Sequence, residues 1–240
     1  MKTHDTYTNL IKELHRHKSK ARQESARRFF KTGKGEYSEH DVWIGVSVPD
    51  IRKIARSYSH LSHVECSTLL SSSVHEERLL ALFILVRMYQ TSDTHGKENI
   101  VRLYLSHTKH INNWDLVDSS AYQIIGEYVR ENKKSILLRK LAKSKNLWER
   151  RIAIVATFAY IKNGIDTSTH EISNMLLNDR EDLIHKAVGW MLREAGKRVS
   201  EKQLCEFLDL YSHRMPRTML RYAIERLPER KRYFYLQKIY

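Results

Sequence analysis

Glycine and proline are scarce in this sequence, at 8 and 3 in 240 residues. A fold built from many strands and tight turns draws heavily on both, so their scarcity argues against a mostly β architecture. Cysteine is rarer still. Cys66 and Cys205 lie far apart and form no spaced framework, which argues against a secreted disulfide scaffold and suits a reducing cytosol. Long apolar runs are also missing. No segment approaches the roughly 18 apolar residues of a membrane span. The opening stretch MKTHDTYTNLIKELHRHK is polar and mixed in charge, without the apolar core of a secretion signal. The expectation is a soluble, cytoplasmic protein.

Several chemical signatures are absent too. There is no G-x-S-x-G, no P-loop and no G-x-G-x-x-G. The stretch TGKG offers a base and two glycines but lacks the preceding strand of a phosphate loop. His60, His63 and Cys66 are spaced H-x-x-H-x-x-C with no fourth ligand type nearby. Metal binding is therefore not expected, and Cys66 reads as a small buried residue.

What fills the chain instead is Leu, Lys, Arg, Glu and Ala with an apolar period of about 3.6 residues, the pattern of an all-α fold. The formal charge is +14. Such an excess suits a polyanionic partner, nucleic acid first and an anionic membrane surface second, with a merely soluble basic protein as the plain alternative.

One basic helix is expected over 8–31, followed by a loop or short hairpin at 31–43. The run VWIGVSVPDIRKIAR resembles a strand at first, but Pro49 and Asp50 read better as the first turn of a helix holding Ile51, Ile54 and Ala55. Helices then follow at 62–71, 75–90, 96–106, 114–130, 133–143, 147–162, 168–177, 181–195, 200–211 and 215–226. Short links between them imply antiparallel neighbours.

A weak internal echo joins EERLLALFILV, ERRIAIVATFAYI, DLIHKAVGWML and PRTMLRYAIERL. Each carries a base at the edge of, or inside, its apolar run: Arg78, Arg151, Lys186 and Arg221. The spacing is about 35 residues or twice that, the scale of helical-hairpin repeats. The expected architecture is one domain over 1–240, a curved solenoid of antiparallel helical repeats with a basic concave face. An irregular helical bundle with coincidental echoes is the alternative.

Three stretches could carry chemistry. In NNWDLVDSS, Asn113 is a plausible N-cap and Asp115 suits a first helical turn. Trp114 and Asp118 are separated by four residues and so share a helix face, where an indole and a carboxylate could meet a cation. An ordinary polar-face Asp is the plainer reading. In LWERRIAIVATFAYI, Arg150 and Arg151 point about 100° apart, so they cannot face the same way. In HKAVGWMLREAGKR, Lys186, Trp190, Arg193 and Lys197 form a basic stripe with a central aromatic, which would suit a nucleic-acid backbone. Alone, Trp190 would more often be core.

Together these three stretches, with GVSVPDIRKIAR and MPRTMLRYAIERL flanking them, resemble the bacterial DNA alkylation repair glycosylases of the AlkD type, over about 27–227. The resemblance implies HEAT-like helical repeats around double-stranded DNA. It implies excision of cationic alkylated purines, such as 3-methyladenine and 7-methylguanine, by hydrolysis of the N-glycosidic bond without base flipping. It assigns Trp114 and Asp118 to the catalytic aromatic and carboxylate, Trp190 to the second aromatic and Arg151 to a phosphate-holding arginine. Arg52, Lys53, Arg78, Lys186, Arg193, Lys197, Arg217 and Arg221 are the expected DNA contacts. A monomer is the simplest form for such a protein. The loop at 31–43 looks longer than in this family. Some relatives bind unusual or branched DNA with little glycosylase activity, so a non-catalytic HEAT-like protein for damaged or branched DNA is the second reading, and a HEAT-like protein scaffold the third.

Overall fold

The computed structural model describes residues 3–237. Among these no strand forms; the one extended contact is an isolated parallel bridge between Val42 and Val74. The chain divides into two units, 1–120 and 121–240.

The first unit holds α1 (Thr3–Arg16), α2 (Lys20–Phe29), α3 (Val48–Ser57), α4 (His63–Leu70), α5 (His75–Thr91), α6 (Thr94–Ser106) and α7 (Trp114–Asp118). The long α5 is its centre, with α3, α4, α6 and α7 packed around it. It is apolar on every side, Leu79 through Val86 all being buried, as a helix surrounded by others must be. The Pro49 reading holds: Ser47 caps α3, accepting the Asp50 N–H, and proline sits in the first turn.

The single basic helix expected over 8–31 is in fact two. The chain is extended at Ser19, whose hydroxyl caps α2 and whose N–H donates to Ile44 O at 3.2 Å. The break accommodates the segment 43–46. Gly45 lies there at φ +76°, and a Cβ on it would meet Ser19 O at 2.1 Å, so both its conformation and its closeness require glycine. The stretch 31–41 is a loop of turns and not a hairpin. Glu36 and Glu39 carboxylates accept the Gly33 and Gly35 N–H groups.

The second unit begins with a π-helical turn, Tyr122–Gly126. It continues through α8 (Glu127–Glu131), α9 (Ile136–Ala142), α10 (Leu147–Ala156), α11 (Phe158–Ile161), α12 (Thr167–Met175), α13 (Asp182–Arg198), α14 (Glu201–Tyr211), a 3-10 turn at Ser212–Arg214, α15 (Arg217–Ile224) and α16 (Glu229–Gln237). The three echoing segments of this unit lie side by side: α10 packs on α13 and α13 on α15, while α9, α12 and α14 each pack on a member of that row. The repeat reading therefore describes this unit well. Gly189 lets α13 and α15 approach closely, since a Cβ there would meet Met219 O at 2.4 Å.

Two long helices expected from the apolar period are interrupted. That over 147–162 breaks at the buried Thr157, whose hydroxyl donates to Ile154 O at 2.7 Å. That over 114–130 breaks after Asp118, where the Ser120 hydroxyl donates to Leu116 O at 2.6 Å. In both, a side-chain hydroxyl competes for a carbonyl of the preceding turn and bends the chain. The expected series stops at 226, and α16 extends beyond it.

Candidate functional site

The first turn of α5 reads His75, Glu76, Glu77, Arg78, and all four are buried. Charged side chains are rarely buried unless paired, and each of these has its partners. One Glu76 oxygen accepts the N–H groups of Ile44, Gly45 and Val46 at 3.1, 2.7 and 3.4 Å. Glu77 meets His15 Nε2 at 3.1 Å and the Ser72 hydroxyl at 2.6 Å. Arg78 donates to Asp41 at 2.6 Å and to Ser72 O at 2.8 Å. His75 faces Asp41 through Nδ1 at 3.3 Å and Asp115 through Nε2 at 2.8 Å.

This corrects the expectation for Arg78. It is 3% exposed and a core ion-pair partner, not a surface cation for DNA. It also corrects the register of the echo. Arg150 repeats the Arg78 pattern, donating to Ser144 O, six residues back, and to the Asp179 carboxylate at 2.6 Å. Arg151 does not.

Burial opposes charge on His75, but the Asp115 carboxylate, its hydrogen bond and that of Asp41 outweigh it and hold the imidazole above its ordinary range. Burial likewise opposes charge on Asp41. The His75 hydrogen bond and the Arg78 charge overcome it and hold Asp41 below the usual carboxylate range. Aromatic rings close over this cluster. Trp43 stacks on His75 at 3.8 Å, Phe30 on Trp43 at 4.3 Å, and Trp114 on Phe30 at 5.2 Å.

On α7, Leu116 and Val117 are buried while Trp114 and Asp118 are half-buried on the other side. The shared face expected for that pair is present. Phe29, largely exposed, adds an edge contact to Trp114 at 5.7 Å. Asp118 also lies near enough to the Tyr104 phenol for its charge to add to the burial that raises that group. Asn113 and Asp115 stand at the expected N-cap and first-turn positions, but their side chains do more than start a helix. Asn113 occupies the N-cap position, but its side chain makes no cap; Nδ2 donates to the Ser38 hydroxyl at 2.7 Å. Asp115 accepts the Leu116 N–H at 2.8 Å as a first-turn carboxylate should, and spends its other oxygen on His75.

In the second unit Arg151 is 5% exposed, with one guanidinium nitrogen donating to Leu183 O in the first turn of α13. It ties α10 to α13. Trp190 is half-buried beside Phe158, whose ring also meets Tyr122 edge-on at 5.3 Å and lies under Arg198 at 5.4 Å. Ile184, Ala187, Val188, Met191 and Leu192 form the buried side of α13, which leaves the stripe of Lys186, Trp190, Arg193 and Lys197 on the other. Its members differ in availability. Lys186 pairs with Asp182 at 2.7 Å, Arg193 is held by Glu225 and Glu194, and Lys197 is exposed.

Arg217 and Arg221 are exposed on α15, as are Arg52 and Lys53 on α3 in the first unit. A cavity of about 330 Å³ opens beside Arg193 and Lys197 and is also lined by Arg226. Sequence reasoning passed over Arg226, as it did Tyr122, Phe158 and His75. Cys66 is fully buried, and burial with the nearby Glu65 pushes its thiol up to about 12, so it is inert at neutral pH.

A family model for the DNA alkylation repair enzyme matches residues 10–227. The chain belongs to that family. Membership carries a role in DNA repair and DNA as the substrate. A predicted DNA alkylation repair enzyme from Enterococcus faecalis has a similar solved structure, with a TM-score of 0.70 and 15% identity over 89% of this chain and 98% of that one. At that identity the likeness speaks for the fold, which is the all-helical fold of these repair enzymes. No individual curated protein sequence matches. No helix among the described residues is long and apolar enough to cross a membrane.

Proposed function

We propose that this family member is a monofunctional DNA glycosylase that hydrolyses the N-glycosidic bond of cationic alkylated purines in double-stranded DNA. The observation that carries the reading is the Trp114–Asp118 pair, half-buried on one face of a short helix whose opposite face is locked in the core. An N-alkylated purine is already positively charged and leaves without a strong general acid. What the reaction needs is stabilisation of positive charge developing on the deoxyribose, and a water aimed at it.

In this reading the Asp118 carboxylate supplies the negative charge and orients the water. The Trp114 indole packs against the sugar and adds attraction to a cation. Trp190 packs on the sugar-phosphate backbone. Arg151, buried against α13, acts as a support for the helix that carries Trp190, and the exposed cations Arg52, Lys53, Lys197, Arg217 and Arg221 meet phosphates. As the resemblance to the AlkD-type glycosylases implies, the lesion is attacked without extrusion of the base. No metal and no organic cofactor takes part.

Release of 3-methyladenine and 7-methylguanine from methylated duplex DNA tests the proposal. Free base above the spontaneous-loss control supports it. Tight binding of damaged or branched DNA with no base released would favour a non-catalytic DNA-binding role.

A further inference from the structure

Helix α7 cannot stand alone. Its five residues make little more than one turn, far short of what an isolated helix needs, and the Asn113 side chain bonds Ser38 instead of capping it. What holds α7 comes from outside: burial of Leu116 and Val117, the stacking of Trp114 on Phe30, and the bond from His75 to Asp115.

His75 is fixed independently of α7. It sits on the first turn of the 17-residue α5, is 1% exposed, lies under the Trp43 ring, and meets Asp41, itself paired with Arg78. Both of its ring nitrogens face carboxylate oxygens. A neutral imidazole would turn a lone pair toward one of them, so the geometry holds the imidazolium, donating on both sides.

We propose that His75 is a positioning residue whose charged hydrogen bond to Asp115 sets the pose of α7, and with it the pose of Trp114 and Asp118. The path is short. Asp115 follows Trp114 directly and precedes Asp118 by less than a turn, and Phe30 lies against both the His75 ring at 5.5 Å and the Trp114 ring at 5.2 Å. The structural half of the proposal rests on this geometry. Its catalytic half rests on the glycosylase reading.

The test compares wild type with His75→Ala, His75→Gln and Asp115→Asn. It measures single-turnover base excision, duplex DNA affinity and amide hydrogen exchange over 114–119. Glutamine can still present an N–H to Asp115; alanine cannot. Excision is expected to fall by roughly 10- to 100-fold in His75→Ala and Asp115→Asn, the scale of a small misplacement of reacting groups. The loss should be smaller in His75→Gln. DNA affinity should stay within about twofold, because the binding cations are untouched. Exchange should quicken in α7 while α3 and α6 keep their protection.

Full excision in the folded variants overturns the proposal. So does unchanged exchange in α7, and that arm reads out whether or not the wild type releases any base. A wild type that releases none counts against the glycosylase reading, while its α7 exchange still decides the positioning role. Asp115→Asn is isosteric and its side chain is partly exposed, so it keeps the test open if His75→Ala unfolds. Loss of protection across the whole first unit in both variants overturns the specific role.

Discussion

His75 Nε2 stands 2.8 Å from the Asp115 carboxylate, joining the first turn of α5 to the helix that carries Trp114 and Asp118. With Arg78 and Asp41 the pair forms a set of two cations and two anions, all but the partly exposed Asp115 buried at the side chain, in which every charge faces an opposite one. Such a set adds little net stability over an apolar core, but it is costly to break, because removing one member strands another.

The set should leave its mark on the pH dependence of stability. His75 is raised above 6.5, so its contribution is fully present below that value and is lost as pH rises through the higher folded value. Asp41 is lowered below 3.8, so its contribution is present above that value and is lost as pH falls through the lower folded one. The melting temperature of the wild type should therefore be highest between these limits and decline on the alkaline side. In His75→Gln that alkaline decline should shrink. A decline of equal size in both proteins would show that another group is responsible.

Glu76 makes a separate prediction. Its carboxylate gathers three backbone N–H groups of the 44–46 segment inside the core. Glu76→Gln turns part of that acceptor into a donor facing donors, and urea denaturation should show a loss of about 2 to 3 kcal/mol. A loss under about 0.5 kcal/mol, the scale of an ordinary surface substitution, would mean that the segment is held by other contacts.

The buried turn also shows where sequence reasoning ends. The helices were legible because the 3.6-residue period persists through them, and the Pro49 boundary because proline suits a first turn. The breaks at Ser120 and Thr157 were not, since a hydroxyl within an apolar run is compatible with a straight helix or a bent one until its partner carbonyl is known. The sequence pattern offers Arg78 as a DNA contact and assigns Glu76 and Glu77 no role. Apart from Ser72, their partners lie 30 to 62 residues away, and no local pattern announces them. The Trp114–Asp118 face was legible because the pair lies within one turn. The burial of Arg151 was not, because two adjacent arginines do not reveal which one turns inward.

Exposed and buried cations should separate in DNA binding. Lys197 is exposed on the α13 stripe, so Lys197→Ala should reduce the slope of log K against log salt by about 1 and leave stability nearly unchanged. Arg78→Met should leave the salt slope alone and cost about 3 kcal/mol or more by stranding Asp41. Fluorescence anisotropy across a salt series, with parallel urea melts, checks both. A binding constant insensitive to salt would contradict phosphate contacts on these surfaces.

The central claim concerns one carboxylate, and excision by Asp118→Asn tests it most directly. On methylated duplex DNA under single-turnover conditions, the wild type should release 7-methylguanine and 3-methyladenine. The variant should be slower by roughly 100-fold or more, the scale of losing one electrostatic stabiliser of the transition state, with DNA affinity and melting temperature close to wild type. Excision by Asp118→Asn at the wild-type rate would contradict the account.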